Sequence, residues 1–170
     1  MFLLLCVFGS FAQQPGSGGG EQEPVKWGIS SKQVDGTWVL SLTATIEHGW
    51  SVYSQNNYGD MVPGVQPLGA VEETGAKVIE GMDAVFGMEV KKFKEQAVFT
   101  QRVQLQEPGS GITGVFEYMT CNDEMCLPPT TVYFIHFPSS GAFELGAVPF
   151  NANDPKFANL ATRSGSAELK

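Results

Sequence analysis

Between Thr37 and Ile46 the chain alternates without a break. Trp38, Leu40, Leu42, Ala44 and Ile46 fall on one side, and Thr37, Val39, Ser41, Thr43 and Thr45 on the other. A period of two held that long describes a strand with one buried face and one mostly polar face. Such a strand needs a second layer against its apolar side.

Other runs of the same kind supply that layer. Val25, Trp27 and Ile29 alternate, and Gly49–Tyr53 reads as a strand entered by a turn at His48-Gly49. Lys77–Glu80 reads as a short strand, followed over 81–92 by a Gly- and Met-containing loop that holds Phe86-Gly87. Ala97, Phe99, Val103 and Leu105 share one face of a further strand, with Gln101 the exception. Ile112–Thr120 sets Phe116 and Tyr118 against Val115 and Met119, and Thr131–Phe137 is aromatic and β-branched. Residues 56–69 and Glu107–Gly111 carry the Gly, Pro and Asn of loops and turns. No 3.6-residue period is sustained. The expectation is an all-β fold, an antiparallel sandwich of immunoglobulin-like type.

Charge narrows the function. The net charge is −8, and charged residues make up 16%, below the roughly 25% usual in soluble domains. No basic stripe or Arg cluster is present, which argues against nucleic acid as a partner.

The ends differ from the middle. Residues 1–12 form an apolar run closing on Ser10-Phe11-Ala12. It is too short to span a bilayer and reads as a signal peptide. Residues 13–23 are a Gly-, Ser- and Gln-rich linker. The ordered domain is expected over 24–138, with 139–170 a tail or linker in which Asn153-Asp154-Pro155 can cap a short helix around Phe157 and Leu160.

If Cys6 leaves with the signal, Cys121 and Cys126 remain. An even count in an exported chain implies a disulfide. Asn122 and Asp123 favour a turn that brings the two Cα atoms within the roughly 4.4–6.8 Å a disulfide spans. Pro128 and Pro129 stiffen the exit. Spacing alone leaves two readings open, a structural staple and a redox pair. Closing so small a loop removes only about 2 kcal/mol of unfolded-chain freedom, against about 4–5 kcal/mol for a loop of about 100 residues. A zinc site needs four ligands with paired spacing, which His48 and His136 do not provide. The spacing is not Cys-x-x-Cys, and no Ser-His-Asp arrangement suggests a hydrolase. The carboxylates of Asp123 and Glu124, between the cysteines, should disfavour a nearby thiolate, which makes the pair depend on docking to a chosen partner.

These residues carry a resemblance. Tyr118, Cys121, the acidic spacer Asn122-Asp123-Glu124-Met125 and Cys126-Leu127-Pro128-Pro129 are similar to the N-terminal periplasmic domain of the thiol:disulfide interchange protein DsbD, the disulfide bond corrector domain family. Pro24-Val25-Lys26-Trp27, the run His48–Gln55 and Val85-Phe86-Gly87 fit in the same order, so the resemblance covers about residues 24–137. It implies an immunoglobulin-like fold with the Cys121–Cys126 disulfide near one end. It implies a relay that takes electrons from a membrane-embedded domain, in cis or in trans, and passes them to thioredoxin-like periplasmic proteins. Cys126 forms the mixed disulfide and Cys121 resolves it, with no cofactor and no metal. Phe86 is the expected cap residue, flexing at Gly87, with Tyr53 and Tyr118 lining the site. The competing reading is a non-enzymatic extracytoplasmic binding module with a structural disulfide.

Overall fold

The computed structural model describes residues 23–55, 71–103 and 111–161. The expected signal segment, the linker up to residue 22, the loop over 56–69, Leu105 and the turn up to Ser110 lie outside the described residues.

The chain begins with a hairpin. β1 (Val25–Val34) pairs antiparallel with β2 (Thr37–Ile46) from Val34↔Thr37 to Val25↔Ile46. Asp35 and Gly36 form the two-residue turn, both at positive φ (49° and 77°). That is the backbone a tight hairpin with right-twisted strands requires, and Asp-Gly adopts it readily.

β3 (Ser51–Tyr53) follows, then β4 (Glu72–Asp83) and the long β5 (Met88–Val103). β5 is the spine of the first sheet. One edge of it pairs with β4, and its other edge is shared: β2 takes Gln96–Val103 and β3 takes Lys92 and Phe93. The second sheet holds β6 (Ile112–Tyr118), β8 (Thr130–Phe137) and β9 (Ala142–Gly146), in the order β6-β8-β9. All pairings are antiparallel, and the fold is the expected all-β, immunoglobulin-like sandwich.

The core lies between the sheets. Leu40, Leu42, Ala44 and Ile46 of β2 meet Val25 and Ile29 of β1, Phe93, Ala97 and Phe99 of β5, Phe116 of β6 and Phe134 of β8. Trp27 spans the two layers, with ring centroids 5.9 Å from Phe99, 4.6 Å from Phe116 and 5.2 Å from Tyr118. Each buried aromatic or branched side chain contributes about 2–3 kcal/mol of transfer free energy.

Two stretches differ from the sequence expectation. The loop expected over 81–92 is the tip of a long hairpin, with only residues 84–87 outside its strands. Most of β4 is solvated, so it carries no alternating buried face to read, and its register breaks between Gly75 and Lys77. The tail expected from 139 is also structured as far as the description reaches. β9 pairs with β8 from Phe137↔Ala142 to Tyr133↔Gly146. A 3-10 turn (Pro155–Phe157) and the single-turn α1 (Ala158–Ala161) follow. Asp154 caps that turn by accepting from Lys156 N at 3.0 Å, as the Asn-Asp-Pro sequence foreshadows. Phe157 is buried against Ile135 and Phe137, flanked by Phe150 and Leu160. Isolated aromatics among Ser, Gly and Asn show no period, which hides such a segment from sequence reading.

Candidate redox site

The cysteines sit where the chain leaves one sheet for the other. β6 and β8 are neighbours in the second sheet, closing on the pair Tyr118↔Thr130. The chain between them crosses to the first sheet, where β7 (Thr120–Cys121) pairs with β3 through Ser51↔Cys121 and Val52↔Thr120. Thr120 Oγ1 donates to Ser51 O at 2.8 Å and fixes the crossing.

From β7 the chain turns back on itself. Leu127 N donates to Thr120 O (3.0 Å) and Asn122 N to Met125 O (2.9 Å), which leaves Cys121 and Cys126 directly opposite as a non-hydrogen-bonded pair. Such pairs hold their Cα atoms closest. The Cα–Cα distance is 4.0 Å with the disulfide closed, just below the usual span of about 4.4–6.8 Å. Asn122 Oδ1 accepts from Glu124 N (2.9 Å) and Met125 N (2.8 Å), so its side chain supplies the turn. Cys121 is buried, Cys126 is partly exposed, and Asp123, Glu124, Pro128 and Pro129 are exposed.

Tyr53 and Val90 pack on Cys121, with Phe86, Met119 and Cys126 against them. The Phe86 ring meets Tyr53 edge-on at 5.5 Å. Phe86 therefore belongs to the disulfide's own cluster. Tyr118 does not. Its ring lies against Trp27, and it lines a groove of about 540 Å³ with Thr120, Leu127, Thr130 and Leu145. Burial pushes the Tyr118 hydroxyl pKa up from its ordinary value.

One residue that sequence reading passed over organises the Phe86 turn. Asp83, at the end of β4, is buried. Its Oδ1 accepts from Val85 N (2.9 Å) and Phe86 N (3.4 Å), and its Oδ2 accepts from Tyr53 Oη (2.9 Å) and Lys92 Nζ (3.0 Å). Gly87 N donates to Asp83 O at 2.8 Å, and Gly87 closes the turn at φ 64°, a conformation that costs glycine little. Burial works to raise the Asp83 pKa. The donors from Lys92, Tyr53 and Val85 outweigh it and bring the carboxyl down to about 2. The signal in the sequence was Asp83 four residues before Gly87, a turn signature that hydropathy does not register.

A second carboxylate holds the residues that follow β3. Glu73 accepts from Ser54 Oγ and from Gln55 N (2.8 Å), and Lys91 Nζ lies 3.6 Å away. The run His48–Gln55 thus holds β3, which brings Tyr53 against Phe86.

The two histidines lie elsewhere. His48 is exposed in the turn before β3. His136 is fully buried in β8, with Nε2 2.8 Å from Ser31 Oγ and Nδ1 3.1 Å from Ala142 O.

A family model, that of the N-terminal domain of thiol:disulfide interchange protein DsbD, matches residues 22–138. The chain belongs to this family. The match to the DsbD N-terminal family takes in both sheets through β8 and all of the cysteine hairpin, and it ends before β9. A search of curated proteins found no match. Membership makes this a thiol–disulfide exchange domain, and its cysteine pair stands at disulfide distance.

Proposed function

We propose that this domain is a periplasmic electron relay of the disulfide-reductase kind. It takes electrons from a membrane-embedded partner and passes them to thioredoxin-like proteins. The observation that carries the reading is the asymmetry of the pair: Cys121 is buried and Cys126 is partly exposed beside Phe86.

The chemistry balances as follows. The reduced pair presents Cys126 as a thiolate, which attacks one sulfur of the partner's disulfide. A mixed disulfide forms and the partner's other sulfur leaves as a thiolate. Cys121, as a thiolate, then attacks Cys126 Sγ and expels the partner's remaining sulfur. Two electrons pass to the partner, the Cys121–Cys126 bond re-forms, and the protons shed by the cysteines are taken up by the partner's thiols. The membrane partner restores the reduced pair by the same exchange in reverse.

Phe86 shields the sulfurs from small oxidants, and Tyr53 with Asp83 holds that shield in place. Tyr118 supports the hairpin through its packing on Trp27.

Replacing Cys121 by Ala tests the assignment. The variant should accumulate a mixed disulfide through Cys126 with an oxidised thioredoxin-like protein, seen as a reducible adduct by mass spectrometry. No adduct, or one formed equally well by the Cys126→Ala variant, would reject it.

A further inference from the structure

We infer that the surface around Cys126 is built to dock a thioredoxin-like protein whose reactive cysteine lies in an apolar patch flanked by Lys or Arg. This inference rests on the relay reading above and names what the site selects.

Three exposed apolar side chains neighbour in the chain the residues that pack with the disulfide. Val85 (69% exposed) and Met88 (40%) lie on either side of Phe86-Gly87, and Met125 (48%) immediately precedes Cys126. Phe86 and Cys126 share one cluster, so the tip of the β4–β5 hairpin and the cysteine turn sit side by side. Large apolar groups concentrated beside a reactive bond mark a contact surface more than scattered ones do. Methionine suits that role, since its unbranched thioether repacks against differently shaped partners.

The acidic pair adds a charge preference. Asp123 and Glu124 are exposed at the same turn, and neither takes part in an ion pair among the described residues. Asn122 accepts the Glu124 and Met125 amides, which fixes the turn that carries these carboxylates beside Cys126.

Covalent chemistry supplies the occupant. A partner sulfur bonded to Cys126 lies about 2 Å from it. The partner surface around that sulfur must then cover Val85, Met88 and Met125 and face Asp123 and Glu124. An apolar patch with a basic flank is complementary to that ring. An acidic flank would meet two carboxylates and be rejected.

The experiment uses the full chain and reduced thioredoxin, with dithiothreitol as a reductant too small to need the ring. For each protein the rate of disulfide reduction by thioredoxin is divided by the rate with dithiothreitol. Val85→Asp and Met125→Asp should each lower that ratio at least tenfold. Asp123→Asn with Glu124→Gln should flatten the salt dependence of the thioredoxin rate, measured also on a thioredoxin with a Lys introduced beside its active site. Ratios within twofold of the parent in all variants would overturn the inference. So would a dimer of the parent chain in sedimentation that Val85→Asp dissolves, because the ring would then serve a second copy. A parent chain that reacts with dithiothreitol but not with thioredoxin would instead overturn the relay reading itself.

Discussion

The Tyr53 hydroxyl donates to the Asp83 carboxylate at 2.9 Å, and through that bond a strand in the middle of the first sheet holds the turn that carries Phe86. Both residues are buried. Lys92 completes the arrangement, ion-paired to Asp83 at 3.0 Å and lying 5.6 Å from the Tyr53 ring centroid. Removing the hydroxyl alone leaves the ring packing in place and one acceptor short of a donor. Tyr53→Phe should cost about 1–3 kcal/mol, read as a lower denaturant midpoint at an unchanged slope. Asp83→Ala should cost more, because it strands Lys92, Tyr53 and the Val85 amide together. If Tyr53→Phe leaves the midpoint unmoved, the bond does not hold the turn.

Acid should loosen the same turn. The Asp83 carboxyl titrates near 2 in the folded chain against 3.8 without its partners. The unfolded chain therefore binds the proton first, and the stability Asp83 contributes is present above about pH 4 and lost as pH falls toward 2. His136 acts at a higher window. Burial lowers its pKa below the ordinary 6.5, against the opposing bond to Ala142 O. Its contribution is intact above 6.5 and declines as pH falls below that value, because the unfolded imidazole takes up the proton more readily. Stability should fall in two steps on acidification. Asp83→Asn should abolish the lower step and leave the upper one. A single step in the parent, or a lower step that survives Asp83→Asn, would contradict this.

Much of the site was legible in the sequence, for reasons that differ by residue. Cys121 and Cys126 stand out because few residue types form a covalent bond across a turn. The strand Thr37–Ile46 is legible because one face is buried and the other is not. Tyr53 and Phe86 were placed through resemblance, and the structure brings both to the disulfide. The same resemblance groups Tyr118 with them. The chain changes sheets at Met119, which directs that ring to Trp27. Asp83 is not legible in the sequence because its importance lies in four hydrogen-bond donors, three of them from the β4–β5 hairpin and one from β3. Nothing in local sequence displays such convergence.

Phe86→Ala separates shielding from support. The ring packs against the cluster that contains Cys121 and Cys126 and meets Tyr53 edge-on. Without it, small oxidants gain access to the reduced pair. The oxidation rate by a small disulfide should rise severalfold, measured by stopped-flow on the reduced protein. Stability should drop only modestly, since Phe86 is partly exposed. An unchanged oxidation rate would remove the shielding role.

The second aromatic cluster gives the complementary case, a large effect on stability with none on exchange. Phe157 packs on Phe137 with centroids 5.6 Å apart and on Phe150 at 6.2 Å, and the Lys156 ammonium sits 4.5 Å from its ring centroid. Phe137 ends β8, whereas Thr130, which begins it, pairs with Tyr118 beside the cysteine crossing. At about 3.3 Å per residue, the two ends of that strand stand roughly 23 Å apart. Truncating a buried aromatic costs about 3–5 kcal/mol where the cavity cannot collapse. The cost is less where the 3-10 turn and α1 can peel away, because only their own docking is then lost. Phe157→Ala should therefore destabilise the domain by about 1–4 kcal/mol and leave the thiol-exchange rate of the folded protein within twofold of the parent. Ending the chain after Pro138 should cost more, because it also removes β9 and uncovers Ile135 and Phe137. A truncated chain of undiminished stability would mean that β9 and the helical turns add no net stability to the sandwich. A Phe157→Ala protein that stays folded but exchanges thiols tenfold more slowly would mean that the far end of β8 is coupled to the cysteine hairpin.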